Sequence, residues 1–110
     1  MIGFPAIKGF SSLQENIERW TKHGGCKLLN DYSYGGYAKV NRSLIDFVND
    51  FYLTQNIPLD IIYTGKMMMG ILDLIDKDYF EEGSTILAIH TGGLQGNIGM
   101  SERLGITLPS

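Results

Sequence analysis

Two short stretches hold the residues of this chain best suited to chemistry: Tyr63-Thr64-Gly65-Lys66 and His90-Thr91-Gly92-Gly93. The first sets a phenol and a hydroxyl on a turn that runs into an apolar helix. The second follows an apolar run and offers backbone amides beside a threonine hydroxyl. Glycines let a planar group or an anion approach the backbone, and one hydroxyl can serve a ring nitrogen. Ligands of open α/β sheets bind outside the carboxyl ends of strands, where His90–Gly93 is expected to lie. An ordinary strand-to-helix turn carries the same glycines, so the pattern alone favours that plainer reading. Neither stretch is a Walker loop: Asp60 stands where glycine is required, and Met67 follows Gly65-Lys66 where Ser or Thr is required. No GxGxxG dinucleotide fingerprint occurs either.

Other reactive side chains read as structure. Tyr32, Tyr34 and Tyr37 lie in a glycine-rich stretch, and a phenol can stack on an aromatic group or move a proton. Tyr52 and Tyr79, on or beside helices, read as packing. His23 and His90 lack carboxylate or cysteine partners at ligand spacing, so no metal site is expected. Cys26 is the single cysteine, which excludes an intramolecular disulfide and suits a reducing compartment. Its apolar surroundings, Cys26-Lys27-Leu28-Leu29, suit inert packing in a strand. The pairs Asp73 with Asp76 and Glu81 with Glu82 read as solvated surface. A net charge of -3 with scattered Lys and Arg excludes a nucleic-acid footprint. Nothing approaches the ~20 apolar residues of a membrane span, and the cytoplasm is the expected location.

The elements that must position these residues alternate between strand and helix. With 110 residues, 44% of them hydrophobic, the chain can bury one modest core. Met1–Ala6 is a short apolar run. Ser12 and Glu15 fit a capping box, and Leu13, Ile17 and Trp20 share one helical face up to Gly24-Gly25. Lys27–Asn30 is the next expected strand. Ser43 with Asp46 offers a second capping box before the apolar face of Leu44, Ile45, Val48, Phe51 and Tyr52. A third helix is expected from about Lys66 to Lys77, apolar enough to pack on more than one side. Thr85–Ile89 lacks alternation, as does a strand covered on both faces of a parallel sheet. The order predicts an α/β architecture in one domain, with Ser101–Ser110 as a tail free to fray.

Several blocks together resemble the family of 1-aminocyclopropane-1-carboxylate deaminase and D-cysteine desulfhydrase. They are Gly3-Phe4-Pro5-Ala6-Ile7-Lys8-Gly9, Tyr34-Gly35-Gly36-Tyr37-Ala38, Ile62-Tyr63-Thr64-Gly65-Lys66 and His90 to Gly96. The resemblance implies the C-terminal part of a pyridoxal 5'-phosphate enzyme of fold type II, with a three-layer parallel sheet flanked by helices. It implies Tyr37 as an active-site tyrosine near the substrate and Tyr63 as the tyrosine packing on the pyridine ring. Thr91 matches the position facing the pyridine nitrogen, Thr64 a neighbouring position, and Gly92 and Gly93 the adjoining cofactor loop. Two threonines at these places resemble the desulfhydrase branch; deaminases tend to carry glutamate and leucine there. A neutral hydroxyl supports a protonated ring less than a carboxylate does, which weakens the electron sink.

The family's Schiff-base lysine, its neighbouring serine and its phosphate loop are expected upstream, in an N-terminal half that precedes the position of Met1. Lys66 does not match that lysine and is expected at a helix terminus or in an ion pair. The full protein would take a small amino acid, and this chain alone is expected to be inactive. A second arrangement is a non-catalytic, anion-binding module that self-associates, as in a homodimer, through an open sheet edge.

Overall fold

The computed structural model describes residues 1–6, 12–20, 26–34, 36 and 39–110, with the backbone alone for 12–14, 20 and 30. Strand β1, Ile2–Gly3, pairs in parallel with β2, Lys27–Leu28, in the register Ile2 to Lys27 and Gly3 to Leu28. Helix α1, Ser12–Trp20, lies between them in sequence. The expected strand to Asn30 stops sooner, because Asn30–Tyr32 turns into a 3-10 helix. The sheet is therefore small and two-stranded among the described residues, without the three layers the resemblance implies.

Helix α2, Arg42–Gln55, starts at Asn41, whose side chain accepts a hydrogen bond from the Leu44 amide at 2.8 Å. An asparagine there satisfies an amide that the helix leaves unpaired. The expected capping box of Ser43 and Asp46 does not form; Asp46 instead pairs with Arg42 at 3.0 Å on the exposed face. Asn56 closes the helix in the left-handed conformation, φ 56°, ahead of Pro58. Leu44 and Val48 turn fully inward and meet Leu59 and Ile61, with Met100 and Leu108 completing the cluster.

Helix α3, Thr64–Asp76, begins two residues before the expected Lys66. Gly65 allows its first turn to pass close to α2, since a Cβ there would lie 2.8 Å from Val48 Cγ2. Gly70 likewise admits the Phe4 ring, which packs edge-on against Tyr32 with centroids 5.7 Å apart. Ile71 and Leu74 are buried, while Leu72 and Ile75 are exposed. The helix is thus covered on more than one side, as expected: by α2 at Gly65 and by Phe4 and Tyr32 at Gly70, with Leu72 and Ile75 left facing outward.

The largest correction concerns Thr85–Ile89. This run forms no strand, and Leu87 is 84% exposed. A strand needs a neighbour for its amides and carbonyls, and these residues make no backbone hydrogen bond with any described residue. Helix α4, Gln95–Leu104, follows and ends at Gly105 with φ 64°. The tail expected to fray folds back: Leu108 joins the core, and the Pro109 carbonyl accepts a hydrogen bond from Asn97. No helix among the described residues is long and apolar enough to cross a membrane.

Candidate functional site

The turn ahead of α3 is built on Asp60, a fully buried carboxylate. Its Oδ1 accepts the amides of Ile62 and Tyr63 at 3.0 and 2.6 Å, and its Oδ2 accepts the Thr64 amide at 2.9 Å. The Thr64 hydroxyl also donates to Oδ2, at 2.5 Å, and accepts from the Asp60 amide at 2.9 Å. The Asp60 carbonyl accepts the Gly65 amide at 2.8 Å. A negative charge at the positive end of a helix, bonded to amides that would otherwise be orphaned, makes this turn rigid.

The glycine loop stands against that turn. A Cβ on Gly93, whose φ is 89°, would lie 3.4 Å from the Asp60 carboxylate. His90 accepts the Gly92 amide on Nδ1 at 3.0 Å, which leaves Nε2 to donate to the Pro58 carbonyl at 2.8 Å. Asn97, fully buried at the start of α4, adds a second tie. It accepts the Ile61 amide at 2.8 Å and donates to the carbonyls of Leu59 and Pro109 at 3.0 and 2.7 Å. The two stretches that looked chemically able are therefore neighbours, and polar side chains knit them together. His90 is such a hydrogen-bonded residue.

Tyr63 is 48% exposed, although its backbone is pinned to Asp60. Thr91 is exposed, and Gly92 has φ 87° with open space where a Cβ would point. Thr64 is different: it is buried, and its hydroxyl is engaged by Asp60 rather than turned outward with Tyr63. Tyr37 lies outside the described residues.

Lys66 lies in the first turn of α3, at the expected helix terminus, and forms no ion pair among the described residues. Its side chain is 1% exposed, and Nζ donates to the carbonyls of Ser33 and Gly36 at 2.7 and 2.9 Å. Burial holds its pKa below the ordinary 10.5, opposed by the charge of Asp60. No cluster of three or more His, Cys, Asp or Glu able to hold a metal occurs among the described residues. The exposed phenol, the exposed hydroxyl and the open side of Gly92 suit one face of a flat, polar ligand, whereas Gly93 is packed against Asp60.

Sequence reasoning missed Asp60 and Asn97. Asp60 lies ahead of the N-cap position, outside the first helical turn where acidic residues are an N-terminal signal, so its role was not legible. For Asn97 no signal exists, because its three partners are remote in sequence or beyond the helix.

No protein-family model matches the chain. A protein of Pyrococcus furiosus is 38% identical over 76 residues, which cover 69% of this chain and 22% of that protein. The 1-aminocyclopropane-1-carboxylate deaminase of a Bradyrhizobium species is 38% identical over 66 residues, covering 60% of this chain and 20% of its own length. That of Allorhizobium ampelinum is 36% identical over the same length and shares. The chain spans about a fifth of the length of these curated relatives. It is similar to part of the 1-aminocyclopropane-1-carboxylate deaminase family.

Proposed function

We propose that this chain is the C-terminal portion of a pyridoxal-phosphate-dependent enzyme that deaminates or desulfhydrates a small amino acid, and that it supplies one wall of the site. The observation that carries this reading is the union of the Tyr63 turn with the His90–Gly93 loop through Asp60, Asn97 and His90. The cofactor, when bound, supplies an electron sink for the carbon bearing the amino group. The residues present fit one side of it. Tyr63 would offer its exposed ring to the pyridine face, and Thr91 would set a hydroxyl at the ring nitrogen. Gly92 would admit the group close to the backbone, and Gly93 would hold the loop against Asp60. Thr64 would act through the turn it shares with Asp60, and Tyr37 would hold or move a proton near the substrate.

The substrate would be D-cysteine or 1-aminocyclopropane-1-carboxylate, and the hydroxyl at position 91 favours the first. Lys66 is buried and hydrogen-bonded, so it is not free to bind the cofactor covalently. An upstream half would bring that lysine and cover residues 85–89. The isolated chain is then inactive.

The test is a chimera in which this chain replaces the matching stretch of the Bradyrhizobium deaminase. Visible absorbance of bound cofactor, with sulfide from D-cysteine or ammonia from the cyclopropane substrate, is expected. Tyr63→Phe should weaken cofactor retention little and Tyr63→Ala strongly. A folded chimera that holds no cofactor overturns the reading, and turnover by the 110-residue chain alone overturns its inactivity.

The exposure of Leu87 and Ile89 favours a second reading, a self-associating module without catalysis. Monodisperse monomer in a sizing experiment would remove it.

A further inference from the structure

We propose that Lys66 is a positioning residue whose buried ammonium clamps the backbone at Ser33 and Gly36, just ahead of Tyr37 in sequence. The role of Tyr37 rests on the function proposed above; the clamp does not. Nζ reaches from the first turn of α3 to two carbonyls three residues apart, those of Ser33 and Gly36. These belong to one tight structure. The Gly36 amide donates to the Ser33 carbonyl at 3.2 Å, and the Lys39 amide donates to the Gly36 carbonyl at 3.1 Å. Tyr34 within it has φ 53°, a left-handed conformation that L-residues resist and that needs external restraint.

A buried ammonium is costly unless its donors are satisfied, and hydrogen bonds from a charged donor are stronger than neutral ones. Two carbonyls gathered on one cation therefore fix the backbone at residues 33 and 36 relative to α3. Tyr37 is the next residue along. Because Asp60 pins the N-terminus of the same helix, Lys66 ties the backbone at Ser33 and Gly36 to the frame that holds Tyr63. A lysine whose only duty was to terminate a helix would lie in solvent.

The experiment compares amide hydrogen exchange in the 110-residue protein and in Lys66→Met, which keeps the stem and removes the donors. Exchange at Gly36 and Lys39 should accelerate by about tenfold or more while Val48 in α2 is unchanged, as in a local opening. The ring signal of labelled Tyr37 should shift or broaden while that of Tyr52 stays. Unchanged exchange at Gly36 and Lys39, or equal acceleration at Val48, overturns the clamp. If Lys66→Met does not fold, the wild type decides. Its Nζ should give a slowly exchanging resonance correlated across hydrogen bonds with the carbonyl carbons of residues 33 and 36, and absence of that correlation overturns the proposal. In the chimera, Lys66→Met should lower kcat but add little to Tyr37→Phe, because both act through one group. Additive losses would overturn the link to Tyr37. A chimera that holds no cofactor, with the exchange pattern as expected, supports the clamp and sinks only the functional reading.

Discussion

A single carboxylate organises the candidate site. Asp60 accepts three backbone amides and a hydroxyl while fully buried. Asparagine would keep one acceptor oxygen, remove the charge and aim an amide donor at other donors. Asp60→Asn should therefore cost about 1–3 kcal/mol, the penalty of leaving buried partners unsatisfied. Urea unfolding of the two proteins checks this. A second cluster links pH to stability. Tyr32 donates to Asp73 at 2.6 Å, and Lys77 pairs with the same carboxylate at 2.8 Å. The hydrogen bond to Asp73 raises the Tyr32 pKa above 10.0, and a bond to Asp73 likewise raises Lys77 above 10.5. Bonds from Lys77 and then Tyr32 hold Asp73 below 3.8. The tyrosine and lysine contributions are present below 10.0 and 10.5 and are lost as pH climbs through the raised values. The carboxylate contribution is present above 3.8 and is lost as pH falls through the lowered one. Asp73→Asn should flatten the stability profile at both ends, as thermal melts across pH would show.

At the scale of elements, glycines separate positions that tolerate a methyl group from those that do not. A Cβ on Gly65 would lie 2.7 Å from the Asp60 carbonyl oxygen and 2.8 Å from Val48. Gly65→Ala must push α3 off α2 or tear the turn, at a cost of about 1–3 kcal/mol. Gly99, inside α4, has nothing within 4 Å of such a Cβ. Gly99→Ala should stabilise the protein by roughly 0.4–1 kcal/mol through the lower entropy of the unfolded chain. Chemical denaturation of both variants gives opposite signs if the packing is right.

For the whole molecule, the informative surface is the apolar run at 85–89. Together with Met1, Phe4, Met67 and Ile71 it lines a cleft of about 480 Å³. Leu87 and Ile89 are 84% and 62% exposed. Contiguous exposed apolar surface of this kind marks a candidate contact. Leu87→Lys should reduce self-association of the 110-residue protein without changing its helical content. Sizing and circular dichroism measure both, and an unchanged elution profile for an associated wild type would count against this surface as the contact.

Helices α2 and α3 were legible in the sequence because their apolar residues recur with the helical period, a local property. Their caps were only half legible: Asn41 is a good N-terminal residue, yet Ser43 with Asp46 offered a competing pattern two positions later. The two stretches of the candidate site were visible as residue types, and their resemblance to a known family was visible as order and spacing. That they touch was not. Asp60 reaches Gly93 and Asn97 reaches Ile61 only after the chain has folded back, and no periodicity encodes those contacts. The same reason explains Lys66, whose burial depends on carbonyls some thirty residues away. The run at 85–89 marks the opposite limit. Its composition is that of a buried strand, but strand formation belongs to a pair of segments, and no described residue exchanges backbone hydrogen bonds with it.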